Sequence, residues 1–203
     1  DWPLAREMAQ RLLTATAGNG PARMQAQWLN AEMELKADNA QAALAALPLQ
    51  SSNAVQTAPK ITSRGNMEGP SLATIDVVER VAARRPELLL KADILLKLNQ
   101  AGPMASPLQT WVTDHARDGT AWQTLARVWR SQGQEMRALR AEAEAQVAHY
   151  DYAAAVDRFK AAQDFARKSG GQADYFEASI IDTRLRAVQE LLREQLSDKA
   201  INK

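Results

Sequence analysis

The sequence predicts an all-α chain of antiparallel helix pairs stacked into a solenoid and closed by a long C-terminal helix. Three observations predict it. Alanine and leucine dominate, aromatic residues are only 5% of the 203, and β-branched residues are scattered singly rather than gathered into strand-like runs. Helical periodicity recurs from end to end in segments of about ten to twenty residues. The breaks between segments are mostly short and contain Gly, Pro, Asn or Asp, so each helix must turn back along its predecessor.

Nine or ten helices are expected. The first covers about 3–17, with Leu4, Met8, Leu12 and Leu13 on one face, and Gly18-Asn19-Gly20 ends it. A second starts at Pro21, a residue suited to a first helical turn, and runs to about 37; a short third, 39–47, stops at Pro48. Over 49–70, Ser51-Ser52-Asn53, Pro59, Gly65-Asn66 and Gly69-Pro70 interrupt both periods, which predicts a long loop or insertion between a 1–48 portion and a 71–203 portion. Helices resume over 72–84, striped by Ile75, Val78, Val81 and Ala82, and over 86–100, striped by Leu89, Ala92, Leu95 and Leu96. Two more follow, 106–115 around Leu108, Trp111 and Val112, and 120–132 around Trp122, Leu125, Val128 and Trp129. The last three run over 135–149, 152–168 and 173–196, with Gly170-Gly171 separating the final pair. Ile180, Ile181, Leu185 and Val188 are placed to cover the preceding pair while Arg184 and Arg186 stay wet, as a terminal repeat requires.

Stacked pairs should repeat at a fixed period, and a shift of 34 positions aligns His115 with His149, Ala121 with Ala155, Leu125 with Phe159 and Val128 with Ala162. Trp122, Leu125, Ala126, Trp129 and Gly133, followed by Ala138 and Ala145, resemble the tetratricopeptide signature read from a first helix. Asp151-Tyr152, Ala155, Phe159 and Ala162 resemble its second-helix half, and a weaker copy runs from Asn30 and Ala31 to Ala43. The two good matches differ in phase: one makes 135–149 a second helix, the other a first. Small residues in such a repeat let helix backbones approach and aromatic ones fill what remains. An irregular helical bundle is the alternative.

From Arg85 onward, the strings RPELLLKADILL, TAWQTLARVWRSQGQ, RALRAEAEAQVAHYDYAAAVDRFKAAQDFA and EASIIDTRLRAVQELLREQ resemble the tetratricopeptide C-terminal region of bacterial periplasmic HExxH zinc metalloproteases of the β-barrel-assembly-enhancing type. About 120 residues carry the likeness; 1–70 share only helical character. The resemblance implies a periplasmic location and a module that holds outer-membrane β-barrel proteins or their assembly machinery beside a protease. Zinc and catalysis would belong to a separate peptidase domain. The chain's abrupt opening at Asp1-Trp2 reads as that of a fragment or processed product.

A formal charge of +1, from 25 basic and 24 acidic residues mixed along the chain, supplies no field for phosphate backbones, so nucleic acid is not an expected partner. Without cysteine there is no thiolate chemistry, and no window approaches a membrane span. A zinc peptidase needs HExxH plus a third ligand, whereas this chain has only His115 and His149, expected at helix ends where an imidazolium complements free carbonyls. Glu142, Glu144 and Asp151 could suggest acid–base carboxylates but read more simply as solvated or paired charges. The glycine clusters lack the flanking strand and Lys-Ser/Thr of a phosphate loop. The five tryptophans, Trp2, Trp28, Trp111, Trp122 and Trp129, are read as core, with a peptide anchor as the alternative. No catalytic residue, metal or cofactor is assigned.

The expected function is therefore protein or peptide binding without catalysis. A free-standing adaptor is the alternative to a protease module, and an enzyme with an unrecognised site is a third. Taking the signature at Trp122 at face value, Gln123, Arg127 and Arg130 lie off the apolar stripe and would face a peptide groove, continued by Arg137 and Arg140. A basic solvated face is the competing reading of these arginines.

Overall fold

The computed structural model describes residues 2–48, 85–168 and 174–201. Among them the chain is all-helical, with nine α-helices, one short 3-10 turn and no strand. They are α1 (Trp2–Ala15), α2 (Gly20–Lys36), α3 (Ala40–Ala46), α4 (Arg85–Lys97), α5 (Ala105–Asp114), α6 (Gly119–Ser131), α7 (Glu135–Ala148), α8 (Tyr152–Lys168) and α9 (Tyr175–Ile201), with the 3-10 turn at Gly102–Met104. The loop expected over 49–70, the helix over 72–84 and the Gly170-Gly171 separator lie outside the described residues. The contacts divide the chain into two units at Ile94 and Leu95, inside α4.

In the first unit α1 packs on α2 and α2 on α3. Alanines make this possible: Ala26, Ala31, Ala40 and Ala43 are all buried, and without larger side chains the helices can approach closely. Asn19 caps α2, its Oδ1 accepting from the Ala22 N–H at 3.2 Å, and Asn39 caps α3 in the same way at 3.3 Å. Leu47 leaves the helix at ψ 140°, the extended backbone that the following proline imposes. The stripe expected to bury α1 does not: Leu4, Met8 and Leu12 are exposed. The helix instead turns Ala5, Ala9 and Leu13 inward, and Arg6 forks onto Glu34 of α2 at 2.8 and 2.9 Å. Alanine scores weakly in a hydrophobic pattern, yet close packing prefers it here.

In the second unit each helix packs on the next: α5 on α6, α6 on α7, α7 on α8 and α8 on α9. A core of Met136 and Ala143 from α7, Ala155, Val156, Phe159 and Ala162 from α8, and Ile181, Leu185 and Val188 from α9 joins the last three. The 34-residue offset carries through to burial, since Ala121, Leu125 and Val128 and their partners Ala155, Phe159 and Ala162 are all fully buried. His115 and His149 each form the C-cap of their helix, α5 and α7. By this offset the hairpin α5–α6 corresponds to α7–α8.

The turns also repeat. Asp38, Asn99, Gly133 and Tyr150 adopt φ of 62°, 55°, 70° and 61°, each two residues past a helix end. The next N–H bonds back to a carbonyl five residues earlier: Asn39 to Glu34, Gln100 to Leu95, Gln134 to Trp129 and Asp151 to Gln146, at 2.8 to 3.0 Å. These bonds satisfy carbonyls that a helix end leaves free. Glycine supplies the left-handed conformation cheaply at position 133; at Tyr150 it costs about 1 to 2 kcal/mol.

Two expectations about α9 need correction. Ile181, Leu185 and Val188 are buried as expected, but Ile180 is 44% exposed. Arg184 is not simply wet, because it donates two bonds to Glu144 of α7 at 2.6 and 2.7 Å.

Candidate functional site

The chemistry of the second unit concentrates where α7 meets α9. Among the described residues four ion pairs join α7 to α9 and the residue just before it: Arg137 with Asp174 at 3.0 Å and with Glu177 at 3.9 Å, Arg140 with Glu177, and Arg184 with Glu144. The partners advance in the same direction along both helices, so α7 and α9 lie side by side and parallel, with α8 packed against both. Glu177 is 5% exposed and Glu144 8%, and neither would lie inside without the guanidinium that faces it. The Arg137 bond holds the Asp174 carboxyl below the usual carboxylate range, helped by the backbone N–H of Glu177. Asp174 therefore does two jobs: its Oδ1 accepts from the Phe176 and Glu177 N–H groups at the start of α9, and its Oδ2 accepts from Arg137.

Beside these pairs an open groove of about 690 Å³ runs between alternate helices. Gln109 and Thr110 line it from α5, Gln134, Arg137 and Arg140 come from α7 and its leading turn, and Glu177 comes from α9. Trp129 and Gln132 contribute from the end of α6, and Arg137 lies over the Trp129 ring at 5.3 Å from its centroid.

The three tryptophans of this unit differ in one respect. Trp111 donates its indole N–H to Asp118 at 2.9 Å, and Trp122 donates to the Ala116 carbonyl at 3.0 Å, so both are bolted to the turn before α6. The Trp129 indole N–H is shut off from solvent and has no acceptor among the described residues.

Of the five groove candidates read from sequence, Arg137 and Arg140 line this groove. Gln123, Arg127 and Arg130 are exposed on α6 and do not line it. Arg130 instead binds Glu135 at 3.1 Å and Glu142 at 2.6 Å, which pin α6 to α7. The sequence reading missed Gln109, Thr110, Gln134 and Glu177. For Gln109, Thr110 and Gln134 the signal is the 34-residue offset, because it makes α5 and α7 equivalent; Glu177, on α9, lies outside that equivalence.

The remaining candidates have structural roles in view. Glu142 sits between Arg130 and Arg158, Glu144 takes Arg184, and Asp151 caps α8 by accepting from the Ala154 N–H at 3.1 Å. His115 stacks on Trp111 with ring centroids 3.9 Å apart. A Cβ built on Gly119 would lie 2.6 Å from the His149 ring, so α6 begins with the one residue that lets that imidazole lie against it. Among the described residues no three histidine, aspartate or glutamate side chains gather as a metal site, and no helix is long and apolar enough to cross a membrane. Comparison of the sequence with protein-family models and with curated proteins finds no match.

Proposed function

We propose that the chain is a non-catalytic, peptide-binding module built from tetratricopeptide-like hairpins, with α5–α6 and α7–α8 as successive repeats and α9 as the closing helix. The observation that carries this reading is one groove lined chiefly by α5 and by α7 with its leading turn, alternate helices of the stack, with Glu177 of α9 and the end of α6 completing it. Alternation of this kind follows when a first helix of each pair faces inward and a second faces out. It favours the phase in which α7 is a first helix, and leaves Gln123, Arg127 and Arg130 of α6 outside the groove, which α6 reaches only at its end through Trp129 and Gln132. The identical turns on either side of α7 explain why the sequence supports both phases.

In its wider form the reading makes this the C-terminal module of a periplasmic HExxH zinc metalloprotease. It would present outer-membrane β-barrel polypeptides, or the machinery that assembles them, to a peptidase domain elsewhere in the protein. The support is the sequence resemblance over the second unit. An HExxH helix encoded in frame ahead of Asp1 is the expected finding, and its absence returns the chain to a free-standing adaptor.

The test of binding uses the full chain, immobilised, against an outer-membrane β-barrel protein diluted from urea. Thr110 is exposed and lines the groove, so Thr110→Trp should fill it while leaving the helical circular dichroism intact. At least roughly tenfold weaker binding is expected from blocking a central contact. Unchanged affinity in a folded Thr110→Trp variant refutes the site.

A further inference from the structure

The groove's own charges indicate what it accepts. Arg137 and Arg140 are its cations, and both are already answered from the start of α9 and the residue before it. Arg140 pairs with Glu177, and the two side chains are only 13% and 6% exposed. Arg137 reaches Asp174 at 3.0 Å and Glu177 at 3.9 Å while covering the Trp129 ring. An acidic ligand would have to displace the buried Glu177 carboxylate from Arg140 and compete with the part-exposed Asp174 for Arg137, and a basic ligand would meet the guanidinium groups themselves. Displacing Glu177 costs more desolvation than it returns, while the Arg137 pair, 39% exposed on both sides, is screened by water and offers an acid little.

What remains for a ligand is uncharged. Gln109 and Gln134 are partly buried in the groove wall, and their side-chain amides make no hydrogen bond among the described residues. Each offers two donors and an acceptor, the complement of a peptide unit's C=O and N–H. Trp129 adds a third observation, for a buried N–H without an acceptor is rare and costly. An acceptor brought by a ligand, reached by a small rotation of the half-buried ring, removes that cost.

From these observations we infer that the groove between α5, α7 and α9 binds an extended, electrically neutral peptide segment through its main chain. Gln109 and Gln134 clamp its peptide units, and the Trp129 indole N–H donates to one of its carbonyls. This rests on the peptide-binding reading above and specifies it. Arg137 and Arg140 then hold the groove's shape rather than the ligand's charge, and selectivity follows from backbone accessibility: the segment must be unpaired and free of charged side chains.

Three end-capped peptides of equal length test this against the full chain, one of Ser, Thr and Gly, one with Asp at alternate positions and one with Lys there. Proton–nitrogen correlation spectra resolve five indole N–H signals, and the Trp129→Phe spectrum assigns the relevant one. The neutral peptide should move the Trp129 signal downfield, with an affinity that changes less than about threefold between low and high salt. Gln109→Ala and Gln134→Ala should each weaken it by roughly five- to tenfold, one neutral hydrogen-bonding group's worth, with the other indole signals unmoved as proof of folding. Binding of the Asp peptide about tenfold tighter with steep salt dependence overturns the proposal and leaves peptide binding intact. So does binding of the neutral peptide with the Trp129 signal unmoved. If none of the three peptides binds, the peptide-binding reading falls with it.

Discussion

Phe159 gives the sharpest measure of how the last three helices are held together. It is 0% exposed and sits in the core that α7, α8 and α9 share. Burying an aromatic side chain removes about 150 to 250 Å² from water, or roughly 4 to 6 kcal/mol at about 25 cal/mol per Å². Alanine keeps only the part belonging to Cβ. The neighbours Val156, Ala162, Ile181 and Leu185 are on rigid helices that close the gap incompletely, so a cavity cost is added. Phe159→Ala should therefore destabilise by about 3 to 5 kcal/mol, and Phe159→Leu, which keeps most of the volume, by about 1 kcal/mol. Urea titration followed by far-ultraviolet circular dichroism measures both. Tryptophan fluorescence adds a second view, because α7, α8 and α9 contain no tryptophan and the nearest reporters are on α5 and α6. A loss below about 1 kcal/mol for Phe159→Ala would refute the packing described here, since no position buried on all sides by three helices yields so little.

Three other expectations follow from particular contacts. Arg184→Met should cost about 1 to 3 kcal/mol, because it strands the buried Glu144 carboxylate while Arg184 itself is 38% exposed and partly screened, and adding Glu144→Gln should recover part of that loss in a double-mutant cycle; simple additivity of the two would count against the bond. Asp174 and Glu34 both have their carboxyl pKa lowered, the first by Arg137 and the second by Arg6, so the stability they contribute is present above the ordinary carboxylate range and lost as pH falls through the lowered values. Thermal melts below about pH 4 should accordingly decline less steeply in Arg6→Met and Arg137→Met than in the parent, and parallel acid limbs would contradict it. Gly133→Ala should destabilise by about 1 kcal/mol from backbone strain alone, since nothing lies within 4 Å of the new Cβ, whereas Tyr150→Gly relieves the same strain; chemical denaturation showing equal signs would be the adverse result.

Much of this fold could be read in advance because helix ends are written locally. Asn19, Asn39, Asp118 and Asp151 each accept from an N–H three residues on, and Pro48 halts α3, so most helix limits fall within two residues of those expected. The 3-10 turn at Gly102–Met104 was not anticipated, since three residues carry no period. Burial was less legible than boundaries. On α1 the large residues Leu4, Met8 and Leu12 outweigh Ala5 and Ala9 in any hydrophobic pattern, yet the alanines face α2, because what decides is how closely two backbones can approach. The groove was half legible. Arg137 and Arg140 stood out by charge, whereas Gln109 and Gln134 look like any surface glutamine until α5 and α7 are set side by side. Glu177 gave no local sign at all, being buried only because Arg140 lies 37 positions away and across a helix interface.

The recurring three-residue turn also bears on how such a chain changes size. Gly133 and Tyr150 close consecutive junctions with one backbone geometry, and the buried positions on α6 and α8 share one spacing. An excision that fuses the segment entering α6 to the body of α8 would set the same class of side chain against α5 that sat there before. If the hairpins are repeats as proposed, duplicating or excising one would require no new joint, and the groove's length would change in whole-hairpin steps.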